Sequence, residues 1–401
     1  MDVPDGSPFT LANLPFGVAA GRVHVAVGDR AVDVAAAATA GLVDVDPELV
    51  EGRRLDGLLD AGPPAWRGLR EELGAVLADD PERLAAVMVD RSGLELELPV
   101  TVGDYVDGYA GLHHAVTCGE IFRPGGEALA PNWRHLPVAY HGRSGTIVVS
   151  GTEVRRPWGQ LWRDGGPVLA PTAMLDVELE LGAIVAVANQ PGEPIPVEEA
   201  DAHLFGFVLV NDWSARDIQA WESAPLGPFL GKSFATSISP WVVTTDALAP
   251  HRVRGLAAEA DPPPLDYLAG DPSVPDLSFT VELTSARMRE ELAEPFRLAA
   301  MDLAPALYWT PAQQLAHATV NGATVRPGDL FASGTISGPD RLTQSGSLLE
   351  RTWAGRDTYE LPTGEVRTFL EDGDRVVFDG AVGDGDARVG FGPLEGTIGG
   401  G

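Results

Sequence analysis

The chain has 401 residues, 58 of them acidic and 28 basic, for a formal net charge of −30. That length predicts two or three domains rather than one. The charge argues against nucleic acid or an anionic membrane surface as a partner, because phosphates would be repelled. Of the 28 basic residues, 27 are arginine and one, Lys232, is lysine. A lone ammonium is either a chance survivor or the mark of a site where a planar guanidinium cannot substitute for a compact point charge. The single cysteine, Cys118, excludes an intrachain disulfide and fits a reducing compartment. The start, Met1-Asp2-Val3-Pro4-Asp5, lacks a basic, apolar leader, and the apolar runs are too short to span a bilayer. A soluble, cytoplasmic protein is expected.

In chain order, residues 1–98 read as a self-contained module. Arg22–Val27 alternates, Gly28-Asp29 turns and Arg30–Val34 returns, the pattern of a hairpin. Trp66, Leu69, Leu73, Val76 and Leu77 share one helical face. Asp80-Pro81 reads as a cap and first helical position, opening a helix that runs to Met88. Leu94–Leu98 alternates and Pro99 ends it, so the boundary is placed at 98/99. From there the pattern is mostly strands: Thr146–Ser150, Leu175–Val187, Phe205–Val210, Ser278–Thr284, Asp329–Ser333 and Arg375–Asp379. Thr310-Pro311-Ala312-Gln313 is a capping box that opens a helix, closed by Asn321-Gly322. Residues 249–276 are Pro-rich without apolar periodicity and read as a surface excursion.

Five segments carry candidate chemistry. On a strand, Asp176, Glu178 and Glu180 would point one way, about 7 Å apart. They form either a solvated acidic face or, if they converge, a hard-cation site that selects Ca²⁺ or Mg²⁺. Asp212 follows an apolar strand. It either caps the next helix or adds a carboxylate, and on a helix it would share a face with Arg216 and Gln219. Lys232 sits in a Gly-flanked segment with no other charge from Ser223 to Thr245, which places it partly buried and in need of an anionic partner. The window 108–165 holds six arginines against four acids and four of the eight histidines. It includes Tyr109, His114, Arg123, Tyr140 and Arg143, and reads as a pocket for a carboxylate ligand with His114 as candidate general base. Finally, glycines bracket Thr335 in Ser333-Gly-Thr-Ile-Ser-Gly338 and allow close backbone approach to a ligand. Glu350 follows it.

Together these strings resemble the fumarylacetoacetase family. The resemblance runs from Asn13-Leu-Pro-Phe-Gly-Val18 to Gly390-Phe-Gly392. It is most specific in Pro131-Asn-Trp, Tyr140-His-Gly-Arg143, Asn211-Asp-Trp-Ser-Ala-Arg-Asp217, Pro225-Leu-Gly-Pro-Phe-Leu-Gly-Lys-Ser-Phe234 and Arg326-Pro-Gly-Asp329. It implies a mainly β, α+β chain: a small N-terminal SH3-like barrel (1–98) and a large mixed β-roll catalytic domain (99–401). It implies a homodimer that splits the 1,3-diketone fumarylacetoacetate into fumarate and acetoacetate, ending tyrosine and phenylalanine catabolism. Position by position, the resemblance implies a Ca²⁺ or Mg²⁺ cage of Asp107, Glu178, Glu180 and Asp212, with Lys232 and Thr236 at a second metal position. His114 and Glu350 match the catalytic pair, and Arg216, Gln219 and Lys232 the oxyanion group. Tyr109, Arg123, Tyr140, Gln219 and Thr335 match substrate contacts.

The chain departs from the family pattern twice. Ser223 stands where a substrate-contacting tyrosine is usual, and the stretch from Thr335 to Glu350 is one residue longer. Related hydrolases, isomerases and decarboxylases of acylpyruvates or 2-oxo acids are the alternative on the same scaffold, but such relatives typically lack the first hundred residues. A Ca²⁺-stabilised binding module without catalysis would leave Lys232 and the basic window unexplained.

Overall fold

The computed structural model describes residues 3–400. The chain opens with a four-stranded antiparallel sheet in the order Phe16–Ala19, Arg22–Val27, Arg30–Asp33, Met88–Asp90. Val27 pairs with Arg30 across the Gly28-Asp29 turn. Gly28 takes φ 57° there, as a tight hairpin with glycine first requires. The Pro63–Asp79 helix buries Trp66, Leu69, Leu73 and Leu77 along one side, as their spacing predicts. Two expectations fail in this region. Pro81–Val87 is a 3₁₀ helix that Asp80 does not cap, because only Leu84 is buried and no apolar face holds a regular helix down. Leu94–Leu98 is not a strand. It touches the first strand through one bridge, Leu96 to Ala19, where that strand ends.

The second part is built on an eight-stranded sheet. Its order is Ala139–His141, Tyr105–Gly108, Leu330–Ala332, Leu179–Val185, Leu204–Asp212, Thr236–Ile238, Ile147–Val149, with Val243–Thr244 also paired to Leu204–Asp212. A six-stranded sheet faces it, carrying Ser278–Thr284, Arg375–Val382 and Leu394–Gly399 at its centre. Leu181, Phe207 and Leu209 from the first sheet join Phe279, Val281, Phe378 and Leu394 from the second in one core. Both central strands of the larger sheet are buried along their whole length, so each reads as a continuous apolar run. The capping box forms as expected, with Thr310 and Gln313 exchanging bonds at the start of Pro311–Thr319. The stretch 249–276 is more than a surface excursion. Arg252–Arg254 pairs with Ser273–Pro275, and Leu268 and Val274 are fully buried. Their isolated positions leave no period to read.

The first hundred residues form their own sheet but not their own core. Phe205 of the larger sheet meets Phe16 at 5.6 Å and Trp66 at 5.5 Å between ring centroids, both edge-on. Ile184, Val208 and Val210 share that core. Replacing Phe205 with alanine removes the ring that joins the two parts. The Phe205→Ala variant is expected to lose about 3–5 kcal/mol in urea denaturation and to keep a single cooperative transition. Two separate transitions would show that the parts fold independently.

Candidate active site

The larger sheet delivers three carboxylates from three of its strands, two of them adjacent and the third one strand beyond. Asp107 lies on Tyr105–Gly108, Glu180 on Leu179–Val185, and Asp212 ends Leu204–Asp212. Glu178 precedes its strand, and the Asn211 side chain accepts its backbone N–H at 3.1 Å. Oxygens of Asp107, Glu178, Glu180 and Asp212 lie within 4.8 Å of one another, and all four residues are buried. The reading of a solvated acidic face is therefore overturned. A break at Val177-Glu178 separates Leu175–Asp176 from the strand, so Asp176 leaves the cluster. It accepts instead from Arg216 Nε at 2.8 Å and from the backbone N–H groups of Leu348 and Leu349 at 2.7 and 2.9 Å.

Two cations face the cluster. Lys232 donates to Glu178 and, at 2.6 Å, to Asp212. Arg216 donates to Glu178 at 2.7 Å and to Gln219 at 3.2 Å. Asp212 ends a strand and caps nothing. The helix starts only at Arg216, so the expected three-residue helical face reduces to Arg216 and Gln219. Thr236 stands opposite Asp212 across the sheet and donates to it at 2.9 Å. Lys232 and Thr236 thus direct their side chains to Asp212, and among the described residues no second acidic cluster surrounds them.

The charges do not balance. Five carboxylates, counting Asp176, meet two cations. Burial works against ionising Glu178, but Lys232 and Arg216 overcome it and hold the carboxyl far below its usual range. Burial and the neighbouring acids push Asp107 and Glu180 well above theirs. Asp107 Oδ1 and Glu180 Oε1 are buried without a partner, and Glu180 takes one hydrogen bond, from Gly334 N–H at 3.1 Å. Buried orphan carboxylate oxygens that converge with other carboxylates are the donor set of a hard cation, so the residues present fit a metal ion. Gly334 is required here. It has φ 77°, and a Cβ would stand 2.4 Å from the Gly108 carbonyl oxygen.

His114 lies on the Leu112–Phe122 helix. Its Nδ1 is 2.7 Å from Glu350 Oε2. Ser337 and Ser347 donate to the same oxygen at 2.9 and 2.8 Å, so the carboxylate is fixed despite the longer stretch before it. A carboxylate only accepts, so Nδ1 carries a proton whichever form the ring takes, and Nε2 is the nitrogen left to exchange one. Burial alone would lower this imidazole, but Cys118 and Glu350 beside it prevail and raise it well above the usual histidine value. Cys118 Sγ lies 3.4 Å from Nε2, one helical turn on. Its i+4 spacing from His114 was the signal in the sequence for that contact.

These groups line one cavity of about 320 Å³, which Glu178, Glu180 and Asp107 share with His114, Arg123 and Thr335. Tyr109, Tyr140, Arg216, Gln219 and Lys232 line it too. Asp212 and Glu350 stand behind the lining, each holding a group that reaches it. Tyr140 is opposite Asp107 in the strand register. Arg123 bonds the backbone carbonyls of Glu127 and Ala128 at 3.4 and 2.5 Å. Ser223 does not line the cavity. Its hydroxyl caps the helix end by donating to the Gln219 carbonyl at 2.5 Å.

Comparison with known proteins agrees with this geometry. Residues 104–398 match the family described as fumarylacetoacetate (FAA) hydrolase C-terminal, and residues 12–99 match fumarylacetoacetase N-terminal. A fumarylacetoacetase of Arabidopsis thaliana is 44% identical, covering 99% of this chain and 97% of its own. That of Homo sapiens is 42% identical over the same shares of the two chains. A solved fumarylacetoacetate hydrolase of Exiguobacterium antarcticum shares the fold at TM-score 0.55 and 16% identity, covering 97% of this chain and 99% of that one. The chain belongs to the fumarylacetoacetate hydrolase family.

Proposed function

We propose that this chain hydrolyses the carbon–carbon bond of fumarylacetoacetate, releasing fumarate and acetoacetate as in the last step of tyrosine breakdown. The observation that carries the reading is a single cavity that joins a buried four-carboxylate cluster, a buried ammonium and a carboxylate-oriented histidine. Near-full-length similarity to fumarylacetoacetases supports it, and the match of residues 12–99 to the fumarylacetoacetase N-terminal family favours it over the related acylpyruvate and 2-oxo-acid enzymes.

Asp107, Glu178, Glu180 and Asp212 would hold Ca²⁺ or Mg²⁺, because an all-oxygen set selects hard cations. When bound, the ion supplies Lewis-acid polarisation of the β-diketone oxygens. Tyr109, Arg123, Tyr140 and Thr335 orient the substrate. His114 Nε2 takes a proton from water, with Glu350 holding the tautomer. The resulting hydroxide attacks the carbonyl beside the fumaryl group. Arg216, Gln219 and Lys232 face the negative charge that develops on that oxygen. The carbon–carbon bond then breaks, its electron pair leaves on the acetoacetate carbon, and Lys232 or a water returns a proton there.

A homodimer in the cytoplasm is part of the same proposal. The Trp158–Arg163 and Gly166–Pro171 hairpin exposes Trp158, Trp162 and Leu169, with Trp221 beside them, and a second copy would cover such a face.

Loss of the conjugated diketone absorbance measures turnover. Wild type is expected to consume fumarylacetoacetate, and His114→Ala to abolish that while retaining the wild-type content of bound cation. No turnover by wild type defeats the function, and cation loss in the variant defeats the role of His114. Chelation tests the acidic cluster separately. EDTA is expected to lower the melting temperature of wild type by a few degrees, consistent with linkage of about 2.7 kcal/mol at a cation concentration about 100 times Kd. Glu180→Gln is expected to remove that response, whereas an unchanged melting temperature in wild type would show that no ion binds there.

A further inference from the structure

Arg143 belongs to the basic window, yet the chemistry above leaves it without a role. Among the described residues its guanidinium makes no hydrogen bond and no ion pair, and it rests 5.7 Å from the centroid of the Phe229 ring. It lines a second cavity, of about 330 Å³, together with Tyr140, His141, Ser144, Lys232 and Ser233. Tyr140 and Lys232 line the catalytic cavity as well, so the two spaces share a wall. No acidic side chain lines the second one, although the chain as a whole carries a formal charge of −30.

The charge of Lys232 is already engaged by Glu178 and Asp212. Arg143 is therefore the uncommitted cation of this cavity. Its planar fork presents paired N–H donors that match a carboxylate, and the hydroxyls of Ser144 and Ser233 add donors beside it. The face of Phe229 supports the fork by a cation–π contact. In so acidic a protein, an open basic cavity is also the place where an anionic ligand meets the least repulsion on approach.

We infer that this cavity is an outer carboxylate subsite anchored by Arg143. It holds one end of a dicarboxylate ligand whose body passes Tyr140 and Lys232 into the catalytic cavity. The identity of that ligand rests on the proposed diketone hydrolysis, whereas its charge rests on the cavity alone.

Two measurements on Arg143→Gln test the inference. KM for fumarylacetoacetate is expected to rise about tenfold, the size of one lost charge-assisted hydrogen bond, with kcat changed less than twofold. Kd for fumarate, titrated calorimetrically, is expected to rise by a similar factor. Both differences should shrink as added salt screens the charge, and Arg143→Lys should recover part of each. Unchanged KM and unchanged fumarate Kd overturn the subsite, as does a fall in kcat at constant KM, which would mean a structural role. If wild type does not turn over fumarylacetoacetate, the functional proposal fails, and the fumarate titration of the two proteins still decides the subsite.

Discussion

Five buried carboxylates held around two cations are the constraint on which the rest of the site depends. Each buried ion costs several kcal/mol in lost hydration unless it is paired and hydrogen-bonded. The fold meets that cost in graded ways. Asp176 is fully satisfied by Arg216 and two backbone N–H groups. Glu178 and Asp212 share Lys232, and Thr236 completes Asp212. Asp107 and Glu180 are left with orphan oxygens. The sequence of supports thus ends at the two acids that each keep an unpartnered oxygen, and that shortfall marks where a cation fits. A sheet is suited to hold such a cluster, because a continuous run of paired strands, from Asp107 through Leu330–Ala332 to Glu180 and Asp212, fixes the carboxylates by backbone pairing and not by their own attraction.

The histidine is held by different physics. His114 is held by one carboxylate, which is itself fixed by two serine hydroxyls. The imidazole is therefore oriented through Glu350, while its charge still reaches Glu178 across the same cavity. In the proposed reaction the acidic cluster with its cations would supply an electron-withdrawing environment and His114 the proton acceptor. Hydrolysis of a carbon–carbon bond needs both, since water must be activated and a carbanion must be accommodated.

Much of this was legible in the sequence because the chemistry is carried by residues that are odd in their surroundings. Lys232 was the one ammonium among arginines, and it proved buried and doubly paired. Acids interleaved with Val177, Leu179 and Leu181 pointed to a buried strand, and Glu178 and Glu180 do converge. The strand break that removes Asp176 was not legible, since it depends on pairing with Ser214-Ala215 far along the chain. The serines that fix Glu350 were missed for the same reason: a lone hydroxyl has no pattern. In the fold, helix faces and capping boxes could be read because they are local. The shared core under Phe205 and the anchoring of 249–276 by Leu268 and Val274 are tertiary and have no local signature.

Lys232 concentrates the account. Its ammonium fits between Glu178 and Asp212 as a compact charge, and a guanidinium there would need a wider space and a bidentate geometry that the two acids do not offer. The direct measurement is steady-state turnover of fumarylacetoacetate by Lys232→Arg, with folding checked by circular dichroism. The account predicts a folded protein whose kcat is at least about 100-fold below wild type, the size of one lost oxyanion donor. A folded variant that turns over at close to the wild-type rate would contradict it.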